Sequence, residues 1–213
     1  MELPLFPLTT VLYPGLPIPL HVFEERYREM FARILDGERR FGVVAIARGR
    51  EVGDLPEHHP VGCVAEVREV RRHPDGRLDV LAWGEQRFRI DGVTQPAPYI
   101  VGDVTVLPEQ PGEDAAALAA HAGWLFSRYV TMLLKFARER GERLEVPDDP
   151  MAASYLIAAG LQVELPDKQR LLVAETAAER LRTELGLLRR ELALLERLHI
   201  AGPASATVAF APN

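Results

Sequence analysis

Ser127, Ser154 and Ser205 are the only serines in the chain, and none stands in the Gly-x-Ser-x-Gly turn that lifts a nucleophile above a sheet. Lys135 follows Leu134 and Lys168 follows Asp167, so neither lysine completes the Gly-Lys-Ser/Thr run that cradles a nucleotide phosphate. Cys63, the sole cysteine, follows Gly62 without a basic neighbour to stabilise a thiolate, and reads as a small buried hydrophobe. Asp54, Glu57, His58 and His59 have metal-ligand chemistry. Adjacent histidines rarely converge on one ion, however, and Pro56 and Pro60 make the segment an exposed loop. Glu24, Glu25, Arg26 and Arg28 suit a helix start, with Glu24 and Arg28 paired four residues apart. No catalytic residue, metal or cofactor is expected.

Two groups have the chemistry of binding. Leu12, Tyr13, Leu16 and Ile18 are apolar residues around a proline-rich turn, and an exposed apolar patch there would hold a polypeptide segment. An uncovered strand edge beside them would also accept an added strand. Arg68, Arg71, Arg72 and Arg77 flank a turn, with His73 among them, and form the densest basic patch. Glu66 and Glu69 alternate with them and blunt the positive field that phosphate binding requires.

The elements that must position these groups fall into two parts. The stretch Pro108–Asp114, PEQPGED, reads as a linker. It divides a strand-rich part, 1–107, from a helical part, 113–199, with an uncharged tail over 200–213. The net charge is -6, and both halves are mildly acidic, so bulk charge argues against nucleic acid as a ligand. The absence of a paired cysteine suits a reducing, cytoplasmic setting. The N-terminus lacks signal-peptide character, and no apolar run reaches the length of a membrane span.

In the first part, Leu3–Leu8 and Leu16–Val22 are apolar runs broken by prolines, hence edge or bulged strands. Phe23, Tyr27, Met30, Phe31, Ile34 and Leu35 recur at helical spacing and predict a helix over 24–35. Strands are predicted over 41–48, 61–72, 77–83, 86–93 and 99–107, with a hairpin turn at His73-Pro74-Asp75-Gly76. Along Gln86–Val93, Arg87 and Arg89 face one way and Phe88 and Ile90 the other. Many short strands suggest a small barrel.

In the second part, Leu118, Leu125, Phe126, Tyr129, Leu133 and Phe136 mark one helix face, closed by Arg138, Arg140 and Gly141. Asp149 with Pro150 starts a helix that Gly160 ends, and Asp167 caps another. Thr176 and Glu179 form a capping box before the last helix. There Leu181, Leu185, Leu188, Leu192, Leu195 and His199 step by four and three, widened by Leu187, Leu194 and Leu198. A stripe that wide favours a bundle over an intermolecular seam, so a monomer or weak homodimer is expected.

Three stretches resemble one family. LPLFPLTTVLYPGLPIPLHVFEERYREM, from Leu3 to Met30, is similar to the opening of the Lon protease N-terminal domain. VGCVAEV from Val61 and GEQRFRI from Gly84 resemble its later strands, and DPMAASYLIAAGLQVELPDKQRLL, from Asp149 to Leu172, its helical segment. The resemblance runs over roughly 2–198. It implies an α+β fold, a β-rich PUA-like pseudo-barrel followed by an α-helical bundle. It also implies recognition of unfolded or exposed polypeptides, alone or together with a protease or chaperone. Because PUA-like folds bind RNA, the Arg68–Arg77 hairpin carries the alternative. The ATPase and Ser-Lys protease of full Lon enzymes find no counterpart in these 213 residues, so a stand-alone, non-catalytic module is expected.

Overall fold

The computed structural model describes residues 1–49, 57–95, 98–137 and 145–201. Strands β1 (Glu2–Leu8), β2 (Pro17–Val22), β3 (Arg40–Arg48), β4 (Glu57–Arg72), β5 (Leu78–Gln95) and β6 (Val101–Val106) form one sheet with helix α1 (Glu25–Leu35). Helices α2 (Ala115–Ala137), α3 (Pro150–Gly160), α4 (Leu165–Val173) and α5 (Ala177–Ala201) follow. The architecture is the α+β one that the family resemblance implies.

The sheet runs β2-β5-β4-β3-β1-β6, and a further β5–β6 ladder curls it into a barrel. Among the described ladders of this sheet, β1 and β3 pair in parallel and the others are antiparallel. One flank of β5 is shared: Leu78–Trp83 ladder with β2, and Phe88–Gln95 ladder with β6. The predicted strands 77–83 and 86–93 are therefore one strand. The expected break falls at Gly84, where β5 bends past the Tyr13 turn. Gly84 donates to the Leu16 carbonyl and accepts from the Gly15 amide. A Cβ on Gly84 would lie 2.2 Å from the Tyr13 carbonyl oxygen, so only glycine allows this approach. His58 and His59 lie half-buried within β4 rather than in an exposed loop. Asp54 and Pro56 lie outside the described residues.

Helix α1 plugs one end of the barrel with Tyr27, Met30, Phe31 and Ile34. Phe6 sits 4.4 Å from the Tyr27 ring, and Phe31 5.1 Å from Phe41, centroid to centroid. The expected Glu24–Arg28 pair does not form. Glu24 has extended backbone at the helix cap, so its side chain is off the helical register and takes Arg26 at 2.9 Å, while Arg28 pairs with Glu25.

The helices pack as a bundle. Asp149 caps α3 by accepting from the Ala152 amide at 2.8 Å. Thr176 and Glu179 close the capping box at 3.2 and 3.3 Å. Asp167 does not cap α4, which begins at Leu165 with Glu164 before it; one turn in, Asp167 instead accepts from Arg190. Leu181, Leu185, Leu187, Leu188 and Leu192 are buried in the helical core, while Leu194 and Leu198 are exposed. The heptad-like stripe is thus satisfied within the chain over most of α5. Phe136, Arg138, Arg140, Gly141, His199 and the 202–213 tail fall where side chains are not described.

A buried polar network locks the two parts together. Arg87 of β5 points out of the barrel toward the helices. Its guanidinium donates to the carbonyls of Leu172 (2.9 Å), Ala174 (2.5 Å) and Pro108 (3.0 Å) and pairs with Glu109 at 2.6 Å. Tyr155 also donates to Glu109. Arg180 of α5, fully buried, donates to Ser154 Oγ, Tyr155 Oη and the Leu171 carbonyl, with its guanidinium 4.0 Å over the Tyr155 ring. Gln169 of α4 donates to the Val61 carbonyl of β4 at 2.9 Å. These partners satisfy the carbonyls of Leu172, Ala174 and Pro108, which the turns of the chain leave outside helix and sheet ladders.

Candidate functional site

Most of the apolar residues around the first turn are not on the surface. Leu12 is 4% exposed and Ile18 8%, both packed in the barrel core. Tyr13 is 1% exposed and belongs to the helical core. Its hydroxyl donates to the Lys168 carbonyl at 2.9 Å, and burial raises its pKa far above the ordinary tyrosine value. Leu16 alone is half-exposed, packed against the same helical core. The expected binding patch of Leu12, Tyr13, Leu16 and Ile18 is therefore interior: Leu12 and Ile18 fill the barrel, and Tyr13 and Leu16 fill the seam to the helices. The Lys168 carbonyl that receives the Tyr13 hydroxyl lies 155 residues downstream, a contact that local sequence does not reveal. Lys168 is held by the same contact region. Its ammonium caps the end of α3 through the Ala158 and Ala159 carbonyls, and burial lowers its pKa to about 8.

A different opening lies next to that turn. Among the described residues no ladder joins β1 to β2, so the barrel wall is unlaced there. The gap is a mostly apolar slot of about 270 Å³, whose lining also includes His21 and Glu24. Phe6, Leu8, Leu20, Val22 and Tyr27 form its walls and floor, with Pro7 and Pro19 on its two sides. Phe23 stands at its rim with 49% of its surface exposed.

The main-chain chemistry of the slot follows from β2. Leu16 turns its carbonyl to β5, and by strand alternation so do Ile18, Leu20 and Val22, the buried side chains. Pro17, Pro19 and His21 therefore present their main chain to the open side. Two of these three have no N–H, so the edge offers acceptors but almost no donors. The prolines that read as edge markers in the sequence sit where they blunt strand addition.

The basic hairpin is largely neutralised by its own acids. Arg68 pairs with Glu66 at 2.8 Å, Arg77 with Asp75 at 2.6 Å, and Arg71 lies 3.8 Å from Asp79. Arg72 alone of the four has no ion pair among the described residues. Asp79 also accepts from His21 and His73, and these bonds lower its pKa to about 2. Sequence reading missed this cluster because its members come from three separate segments. Cys63 is fully buried, and burial pushes its thiol up, away from reactivity.

A second groove runs along the bundle. Trp124 of α2 is 62% exposed beside Ala116, Ala120, Val146 and Pro147. Trp124 carried no signal in the sequence because it falls off the helix face marked by Leu125, Phe126 and Tyr129. No helix among the described residues is long and apolar enough to cross a membrane.

The sequence and the fold both have known relatives. The model for the ATP-dependent protease La (LON) substrate-binding domain matches residues 2–190. The Lon protease of Xanthomonas oryzae pv. oryzae is 29% identical over 198 residues, covering 90% of this chain and 23% of that protein. Lon protease 2 of Herpetosiphon aurantiacus is 30% identical, covering 93% of this chain and 25% of that protein. The Lon protease of Escherichia coli K12 is 28% identical, covering 92% and 26%. The chain thus spans about a quarter of the length of these curated relatives. A crystal structure of a Lon N-terminal domain protein from Xanthomonas campestris superposes with a TM-score of 0.62 at 24% identity, over 87% of this chain and 98% of that one. The N-terminal domain of the Mycobacterium avium complex Lon protease gives 0.62 at 20% identity, over 89% and 98%. At that identity the two structures bear on the fold alone.

Proposed function

Since the chain belongs to the ATP-dependent protease La (LON) substrate-binding domain family, we propose that it is a non-catalytic module that holds extended apolar segments of other polypeptides in the β1–β2 slot. The observation that carries this reading is the slot itself: an unlaced seam with an apolar floor and a half-exposed Phe23 at its rim. With Pro17 and Pro19 silencing the edge, the ligand is held by buried side chains rather than by a main-chain ladder. Such binding tolerates many sequences, and its affinity is modest because a flexible chain must be ordered on binding. A cytoplasmic setting, work beside a protease or chaperone, and a monomeric or weakly dimeric state belong to the same proposal. The RNA reading is disfavoured by the neutralised hairpin, where Glu66, Asp75 and Asp79 stand against Arg68, Arg77 and Arg71.

The Trp124 groove is the second reading, favoured by the exposure of so large an apolar side chain. Anisotropy titrations of a labelled unfolded polypeptide separate the two. Removing the Phe23 ring with Phe23→Ala forfeits on the order of 1 kcal/mol of apolar contact, about a fivefold weaker Kd, with little change between low and high salt. Trp124→Ala leaves that Kd unchanged. Loss of binding in Trp124→Ala alone moves the site to the bundle. Binding of a structured RNA that collapses in salt, without polypeptide binding, overturns the proposal.

A further inference from the structure

His21, His73 and Asp79 come from β2, from the turn after β4, and from β5, and the fold holds them together at backbone level. The β2–β5 register sets His21 directly opposite Asp79. The hairpin closes with the His73 amide donating to the Arg77 carbonyl at 2.9 Å and the Gly76 amide to the His73 carbonyl at 3.0 Å. Gly76 takes a φ of 85°, which glycine adopts without strain. That turn folds His73 back over the strand. His21 Nδ1 lies 2.7 Å from Asp79 Oδ1, and His73 Nε2 lies 2.7 Å from Asp79 Oδ2. The three ligand atoms all fall within 4.8 Å of one another. A hollow lined by His21, Asp79, Glu69 and Leu81 opens beside them.

We propose that His21, His73 and Asp79 form a surface binding site for a divalent transition-metal ion of the zinc class, with water completing the coordination shell. Two imidazole nitrogens and one carboxylate oxygen are a borderline donor set that suits zinc, nickel or copper over magnesium or calcium, which prefer all-oxygen shells. Bonds of about 2.1 Å in a tetrahedral shell place ligand atoms roughly 3.4 Å apart. The nitrogen–oxygen contact made by the ligating oxygen opens by under about 1 Å from its 2.7 Å spacing, and the wider donor pairs, all within 4.8 Å, close toward it, changes that side-chain torsions supply. Each neutral imidazole moves its proton to the far nitrogen, freeing the near lone pair, and no proton is released from neutral rings. The neighbouring opposed charge is Arg71, whose Nε lies 3.8 Å from Asp79 Oδ2. Its side chain is mostly solvent-exposed and can swing away, but in place it weakens cation binding.

This inference does not rest on the polypeptide reading, although His21 also lines the slot, and it is tested without a peptide. The whole chain is titrated calorimetrically with zinc chloride at neutral pH in a non-chelating buffer. The expected result is saturable one-to-one binding, weakened about tenfold or more in each of His21→Ala, His73→Ala and Asp79→Asn. The double variant His58→Ala with His59→Ala binds as the unaltered chain does. Arg71→Ala binds more tightly, an outcome that a purely structural His–Asp–His contact would not give. Thermal midpoints without zinc confirm that each variant is folded, and His21→Gln stands in should the alanine variant unfold. Cobalt(II) bound at the same stoichiometry, with its visible absorption lost in His21→Ala, agrees with the site. No saturable binding, or binding in the His21→Ala and His73→Ala variants as tight as in the unaltered chain, overturns it.

Discussion

Glu184 shows how a single residue can run against its usual chemistry. It is fully buried on α5, and neither carboxylate oxygen has a hydrogen-bond partner among the described residues. Burial raises its pKa well above the ordinary 4.5, and the nearby Arg180 cation pulls less strongly the other way. The unfolded chain gives up this proton as pH rises past about 4.5, while the folded chain keeps it. Over that range the unfolded state binds fewer protons, so this group makes stability fall as pH rises, until the folded carboxyl ionises as well. Glu184→Gln mimics the protonated acid and removes the penalty. Thermal melts should give matching midpoints for the two proteins near pH 4, with Glu184→Gln melting progressively higher from pH 5 to 8. A pH-independent gap would refute the account. Little of this was legible in the sequence: Glu184 looks like any helical acid, and Tyr13 like a surface aromatic, because the covering residues are remote. Arg87 was read only as one face of an alternating strand, correctly opposite Phe88, with nothing local to say that its face meets the helices.

Elements were more legible than contacts because periodicity and caps are local. The α1 positions Tyr27, Met30, Phe31 and Ile34, the Asp149 cap and the Thr176–Glu179 box all stand where their spacing puts them. The misplaced boundaries have physical causes. Asp167 looked like a cap, but Pro166 already suits the first helical turn, so α4 starts earlier. Gly84 looked like a break between strands, but it is the point where β5 passes another piece of backbone. That close approach yields a prediction for the element. Gly84→Ala forces a Cβ against the Tyr13 carbonyl and separates the turn from β5. The expected loss is about 2 kcal/mol, read as a lower urea midpoint. A loss below about 0.5 kcal/mol would mean the turn moves aside freely.

At the scale of the molecule the linker at Pro108–Asp114 divides the elements but not the core. Tyr13 and Val61 of the strand-rich part are buried in the helical cluster, and Leu16 and Leu107 pack on it. Arg87 joins β5 to the 172–175 connection and to Glu109 within the linker. A slot flanked by Pro7 and Pro19 keeps its shape only if β2 and the Tyr13 turn are braced from behind, and that brace is the helical bundle. The two parts should therefore unfold together despite their separate secondary structures. The chain carries two tryptophans, Trp83 on β5 and Trp124 on α2, so each part has its own reporter. Single-tryptophan variants, Trp83→Phe and Trp124→Phe, should give coincident urea transitions by fluorescence. Arg87→Ala removes the buried cation and strands the carbonyls it served, a loss of about 3 kcal/mol. On that background the Trp83 and Trp124 transitions should separate, because the brace fails before either core does. Transitions that already differ in the parent chain would show that the barrel and the bundle are independent, and that the slot does not depend on the helices behind it.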